Sequence, residues 1–334
     1  TTGVGVEIAA EIAGEPRDVD VDRFADRARQ TRCGVVVGLG GGAAMDAAKL
    51  VAAIVCQHEP STHYALAAHP FPAQRLPAIA VPTTAGTGSE VTRTAIISSA
   101  QGDKHWYWGE ALMFSHAVLD PELTVSMPPH ITAWTGIDAV AHGLEGMTSR
   151  ASNPVGCHHG LAALEILGVW LPRAVENGDD IEARSHVLWA STLAGLTLHN
   201  CNTHMGHNIS HALGSLAPVH HGLATGLALE VVLPELVARP DGSDTFARAA
   251  AALGATRHAH ALPARFSALM RQCGIEPALP AACDGLLAKD LSAHMKRDYN
   301  VVMAQNAPGP ISDADLDAFA EAMLALPRDC VKAA

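Results

Sequence analysis

The feature that most constrains the fold is a short apolar run that stops at three consecutive glycines and resumes as an alanine-rich stretch. CGVVVGL (Cys33 to Leu39) reads as a buried strand, and GGGAAMDAAKLVAAIV after it reads as a tight turn opening a helix. PAIAVP (Pro77 to Pro82) predicts a second strand, and it ends in a second polar, glycine-rich loop, TTAGTGSE. Val91 to Ser98 and His116 to Asp120 are further strand candidates, and Val21 to Arg29 is helix-like. Strands alternating with helices predict βαβ units and a mostly parallel sheet.

After Pro128-Pro129 the pattern turns helical. Helices are expected at Thr132 to Thr148, Val155 to Leu171, Ile181 to Leu198 and His207 to Leu213. They continue at Ser243 to Leu253, Ala264 to Cys273, Leu286 to Met295 and Asp313 to Leu326, with Ser312 as an N-cap. The predicted organisation is an α/β domain over 1–127 and an all-α domain over 128–334. The 334 residues suit two domains, and 49% hydrophobic content with 4% aromatics implies a core of Ala, Leu and Val.

A formal net charge of −12 argues against a nucleic-acid partner, which needs clustered Lys and Arg. No apolar run of transmembrane length and no signal peptide are evident, so no membrane partner is expected. Seven scattered cysteines without a C-x-x-C pair read as reduced thiols of a cytoplasmic protein. The chain begins at Thr1 without Met, in a short apolar segment, and a preceding portion is expected.

Chemistry concentrates in three places. Glycines between a strand and a helix let backbone approach a phosphate, and the helix N-terminus presents free N–H groups. Gly38, Gly40 and Ala43 satisfy a loose G-x-G-x-x-G/A, with Glu59 at about the distance on where a ribose-binding acid stands. The same turn is also an ordinary connector, and the helix dipole alone accounts for Asp46. The hydroxyls of PTTAGTGSE suit a ribose, an amide or a phosphate. Two such loops after two parallel strands face one crevice.

The third place is His-rich. His204 to Pro234 holds five of the chain's 19 histidines. His204, His207 and His211, at i, i+3 and i+7, would share a helix face that ends near Gly214. Upstream, Asp138 and His142 stand at i and i+4 on another helix. The histidines alone fit a ligand set and a packed helix face equally well. With the Asp–His pair added, a site of three His and one Asp is the better reading, and N and O donors suit Fe²⁺ or Zn²⁺.

GGGAAMDAAK, PTTAGTGSEVT, LDPELT, GIDAVAHGLE and HNISHALG…HHG, in that order, resemble the iron-containing (group III) alcohol dehydrogenase family. The resemblance runs from about Cys33 to Pro234. It implies the dehydroquinate synthase-like fold of that family: an α/β nucleotide-binding domain, a helical domain and a metal in the cleft between them. It implies Asp138, His142, His207 and His221 as ligands of Fe²⁺ or Zn²⁺, His221 being chosen over His220 by this likeness. It places Gly40, Gly41, Gly42 and Asp46 at the pyrophosphate of NAD or NADP. Thr83, Thr84, Thr87, Ser89 and Lys104 fall elsewhere along the cofactor, and His211 near the nicotinamide as a catalytic relay. The implied reaction interconverts an alcohol with an aldehyde or ketone, in a homodimer or higher homo-oligomer. A zinc polyol dehydrogenase, an aldehyde-acid reductase and a metal-binding homologue without turnover are the alternatives. Ala43 replaces the family's usual Ser, and NAPGP (Asn306 to Pro310) replaces its NPR-like segment. His204, His220 and Trp106-Tyr107-Trp108 have no counterpart.

Overall fold

The structure is a computed structural model that describes residues 3–9, 14 and 16–328. Cys330 lies outside them, and the six other cysteines are free. The chain divides into two compact units. The first comprises residues up to Pro82 together with Ser89–Val118; the second comprises Thr83–Gly88 and everything from Leu119 onward.

In the first unit, α1 (Asp18–Gln30) precedes β1 (Val36–Gly40), α2 (Gly42–Ile54) and β2 (Ala78–Pro82). A hairpin of β3 (Thr94–Ser98) and β4 (Lys104–Trp108) follows, then the short β5 (His116–Ala117). β1, β2 and β5 form a parallel sheet in the order β1-β2-β5. β3 and β4 form a separate antiparallel pair. The expected βαβ pattern is therefore present at β1-α2-β2. The third strand candidate instead belongs to a hairpin whose second strand the sequence reading missed.

Helix α2 is the centre of this unit. Met45, Ala48 and Ala52 face Ala78, Ala80 and Phe114 on the sheet side. Ala47, Leu50, Val51 and Ile54 face Val21 and Ala25 of α1, Ile97 of β3 and Tyr107 of β4. A helix covered on two sides must be apolar nearly all round, which explains its alanines. One expectation fails here. β1 is not buried on both faces: the period-2 pleat turns Gly38 onto Ala48 and Met45, and leaves Val37 and Leu39 53% and 60% exposed.

The second unit is built from α3 (Pro129–Thr148), α4 (Pro154–Glu176), α5 (Ile181–Cys201), α6 (Met205–Leu216) and α7 (His221–Ala238). After them come α8 (Ser243–Ala252), α9 (Leu262–Gln272), α10 (Ala288–Met295), α11 (Asp298–Gln305) and α12 (Asp313–Leu324). α12 begins at the expected cap: Ser312 and Asp315 form a reciprocal capping box. α6 runs past Gly214 to Leu216, because Ala217 closes its last turn onto Leu213. α7 and α11 were not anticipated. α7 is long and apolar enough to cross a membrane by length and composition, contrary to the sequence reading. Its apolar residues, Leu227, Leu229, Val232 and Leu233 among them, are spent in the core of this unit.

The expected boundary near Met127 differs from the observed division at Val118/Leu119. The turn Pro121–Thr124 packs on α5. Arg184 of α5, fully buried, donates to the Met127 carbonyl at 3.1 Å, to Thr132 Oγ1 at 2.7 Å and to the Gly178 carbonyl at 2.9 Å. Those bonds hold the connecting stretch to the helices. The fold class itself is as expected: an α/β unit and an all-α unit.

Candidate metal centre

Helix α3 is buried along almost its whole length, so its polar residues must find partners inside the protein. Asp138, His142 and Glu145 stand at i, i+4 and i+7 and therefore share a face. α6 brings His207 to that face. The ligand atoms of Asp138, His142 and His207 all lie within 4.8 Å of one another. His142 Nε2 and His207 Nε2 are 3.0 Å apart. Asp138 Oδ1 is 3.7 Å from His207 Nε2 and 3.6 Å from His221 Nε2. His221, at the start of α7, is the most exposed of the four, with 27% of its side chain accessible.

The donor set fits a divalent ion on two counts. Asp138 Oδ1 is buried and has no hydrogen-bond partner, a costly state for a carboxylate oxygen unless a cation completes it. Three of the separations, 3.0, 3.6 and 3.7 Å, also lie close to the edge of about 3.4 Å of a tetrahedral site with ligand bonds of about 2.1 Å.

Hydrogen bonds to the far side of each ring set which nitrogen faces inward. His142 Nδ1 lies 3.3 Å from the Gly86 carbonyl, which can only accept, so Nδ1 carries the proton and Nε2 is free. His207 Nδ1 lies 2.5 Å from Glu145 Oε2, with the same consequence. Burial pushes the His142 imidazolium pKa down, and Asp138 only partly opposes it. Burial also disfavours charge on His207, but Glu145 and Asp138 outweigh it and raise that ring. Glu145 is fully buried, which alone would raise its carboxyl; His204, His207 and the Gly206 amide instead hold it down at about 2.

The remaining histidines separate by role. His204 lies outside the helix face expected for it. It is the N-cap of α6, with Nδ1 accepting from Met205 N–H at 2.8 Å. His220 caps α7 through Gly222 N–H at 3.2 Å and lies 5.1 Å from Trp134, centroid to centroid. His211 is half-buried, its ring centroid 5.3 Å from His221 and 6.2 Å from His207.

The residues expected at a cofactor fall in both units. Gly40 ends β1 and Gly41 is the N-cap of α2, so the turn places helix N–H groups at the carboxyl end of a parallel strand. Gly40 has φ +149°, and a Cβ there would meet Ala44 Cβ at 2.7 Å. Asp46 is engaged within the protein: Oδ1 accepts from Ser89 Oγ at 2.6 Å and Oδ2 from Ile96 N–H at 2.8 Å. It therefore ties the turn before α2 to the segment after the second loop. Lys49 completes the clamp, donating to Thr92 Oγ1 at 2.9 Å and the Thr94 carbonyl at 2.7 Å. Lys104 is buried in β4, paired in register with Ser98. Thr83, Thr84 and Thr87 lie in the second unit. The glycines of their loop answer to packing: a Cβ on Gly86 would meet the Thr135 carbonyl at 2.5 Å, and one on Gly88, at φ +61°, would meet Gly195 Cα at 2.4 Å.

Two participants escaped the sequence reading, the Gly86 carbonyl and Glu145. The spacing of Asp138, His142 and Glu145 on one helix face was the available signal for the second.

An α/β unit with a glycine-rich strand-to-helix turn, followed by a helical unit that clusters Asp138, His142 and His207 with His221 beside Asp138, defines the class as a two-unit protein of dehydrogenase architecture. The family model for iron-containing alcohol dehydrogenase matches residues 1–121, and that for the C-terminal part of the Fe-containing alcohol dehydrogenase family matches residues 132–323. The chain belongs to the iron-containing alcohol dehydrogenase family. It is 37% identical over 232 residues to the probable alcohol dehydrogenase EutG of Salmonella typhimurium, covering 69% of this chain and 58% of that protein. It is 32% identical over 254 residues to the NAD-dependent methanol dehydrogenase of Bacillus methanolicus, covering 75% and 66%. The crystal structure of sulfoacetaldehyde reductase from Bifidobacterium kashiwanohense in complex with NAD⁺ superposes with a TM-score of 0.85 at 30% identity, covering 94% of this chain and 82% of that one. The chain thus spans less than two thirds of the length of these two curated relatives.

Proposed function

We propose that the chain is a metal-dependent NAD(P) oxidoreductase that interconverts an alcohol with an aldehyde or ketone. The observation that carries this reading is the unpartnered Asp138 Oδ1, 3.7 Å and 3.6 Å from Nε2 of His207 and His221, with His142 Nε2 3.0 Å from that of His207. Family membership and the activities named for the relatives support the reaction class. Fe²⁺ is the ion proposed, with Zn²⁺ served by the same donors. When bound, such an ion supplies Lewis acidity, polarising a carbonyl oxygen or lowering the pKa of an alcohol.

The chain's residues do the rest. Asp138, His142, His207 and His221 hold the ion, with Gly86 and Glu145 fixing two of the rings. Gly40, Gly41 and Gly42 take the pyrophosphate of NAD or NADP on backbone N–H groups. Thr83, Thr84, Thr87 and Ser89 supply hydroxyls to the cofactor, with Lys104 beside it, and Asp46 stands at the pyrophosphate turn, which its bonds to Ser89 and Ile96 brace. His211, outside the ligand set, relays the alcohol proton towards solvent. The nicotinamide carries the hydride. We further propose a homo-oligomer of at least two chains acting in the cytoplasm.

The test is NAD(P)H absorbance with a panel of short alcohols and aldehydes, run on protein reconstituted with Fe²⁺ and with Zn²⁺. Gly41→Val is the companion variant. Gly41 has φ −77° and ψ −171°, backbone angles that valine also adopts, so the substitution asks for no change of backbone. Weakened NAD(P)H binding at unchanged metal content is expected. Unaltered binding removes the phosphate role from this turn.

A further inference from the structure

Glu145 is fully buried, yet both carboxylate oxygens are engaged. Oε1 accepts from the Gly206 backbone N–H at 2.5 Å, in the first turn of α6. Oε2 accepts from His207 Nδ1 at 2.5 Å. The fit against α6 is close: a Cβ on Gly206 would stand 3.0 Å from Glu145 Oε1 and from Leu229. The α6 N-terminus adds a favourable dipole to the same carboxylate.

The neighbouring His204 does not compete for this role. Thr148 Oγ1 gives its own hydrogen to the Leu144 carbonyl at 2.8 Å, so it accepts from His204 Nε2 at 2.9 Å. His204 Nδ1 then accepts from Met205 N–H. With its one proton on Nε2, His204 has none to give Glu145, although its Nδ1 is 3.1 Å from Oε1. The hydrogen-bond partners of Glu145 are therefore Gly206 and His207, and His204 bears on it only through space.

A carboxylate that accepts from the far nitrogen of a ligating imidazole fixes ring orientation and tautomer. If the His207 proton sat on Nε2, it would point into the set at His142 Nε2, and Glu145 Oε2 would face a lone pair across 2.5 Å. We propose that Glu145 is a positioning residue of the metal centre. It locks His207 in the Nδ1–H tautomer and seats the first turn of α6, and so sets how tightly the centre holds a divalent ion. This rests on reading Asp138, His142, His207 and His221 as that centre.

Glutamine at 145 keeps the shape but offers one acceptor oxygen for two donors, so either Gly206 or His207 loses its bond. The experiment is Zn²⁺ binding by chelator competition on the full chain and on Glu145→Gln, beside thermal unfolding of both metal-free proteins. Affinity is expected to fall roughly 10–100-fold in the variant, the usual effect of losing such an outer partner. Wild-type affinity in a folded Glu145→Gln overturns the inference alone. Absence of a tight equivalent of Zn²⁺ in the unaltered protein overturns the metal centre and the inference together. A second measurement needs no change at Glu145. In ¹⁵N-histidine-labelled, Zn²⁺-loaded protein, one downfield Nδ1–H resonance that disappears in His207→Gln is expected. A His207 that carries its proton on Nε2, or binds Zn²⁺ through Nδ1, overturns the proposal.

Discussion

His142 Nε2 and His207 Nε2 face each other across 3.0 Å, with both Nδ1 atoms held from behind by acceptors. Two lone pairs at that separation repel unless a cation or a proton lies between them. His207→Ala should therefore strip the ion and abolish turnover, because the remaining three donors bind it far more weakly. His211→Ala should keep the ion and lose activity by about 10²–10⁴-fold at most, with an altered pH profile. Metal analysis of both purified variants beside their turnover decides. Loss of metal from the His211 variant alone would reverse the two roles.

Lys49 predicts a pH effect on stability. Burial lowers its pKa to about 8 from 10.5, with Asp46 and Glu90 opposing. Between those values the unfolded chain binds a proton that the folded chain does not, so stability rises with pH at about 1.4 kcal/mol per unit. The contribution is unfavourable and full below about pH 8, and is relieved as pH approaches 10.5. Urea unfolding from pH 7.5 to 10.5 should show this slope in the unaltered protein and lack it in Lys49→Met. Parallel slopes would mean that Lys49 is charged in both states.

Arg184 is held by two carbonyls and a hydroxyl. Removing it leaves those three acceptors facing a cavity. Arg184→Ala should cost about 3 kcal/mol or more, since each bared buried acceptor costs about 1 kcal/mol at the least. Denaturant unfolding measures it, and a loss under about 1 kcal/mol would show that water replaces the guanidinium.

Gly222 lets α7 meet α3 at close range: a Cβ there would lie 2.1 Å from the Trp134 carbonyl and 3.2 Å from Asp138 Cβ. Gly222→Val should force α7 away, destabilise the unit by about 3 kcal/mol, and lower metal content because His221 precedes it. A variant with unchanged unfolding and full metal would contradict the packing described.

Sequence alone determined the elements whose patterns are local. The β1–glycine–α2 turn, the long helices after Pro128 and the Ser312 cap depend on periodicity and capping over a few residues, and these were legible. So was the pairing of Asp138 with His142, because one helical turn puts both on one face whatever surrounds them. The exposed face of β1 and the core position of α7 were not legible, because an apolar run looks the same wherever its far side comes to rest. Nor was the β3–β4 hairpin, whose partner strand carries no alternation of its own. Within the candidate centre, composition could not tell His204 and His220, which cap helices, from His207 and His221, which face Asp138. That choice depends on where α6 and α7 begin, and on which acceptor stands behind each ring. Gly86 lies 56 residues from the His142 it orients, and Glu145 lies 62 residues from His207; spacing along α3 put Glu145 on the right face, but which ring each acceptor meets is set by tertiary structure.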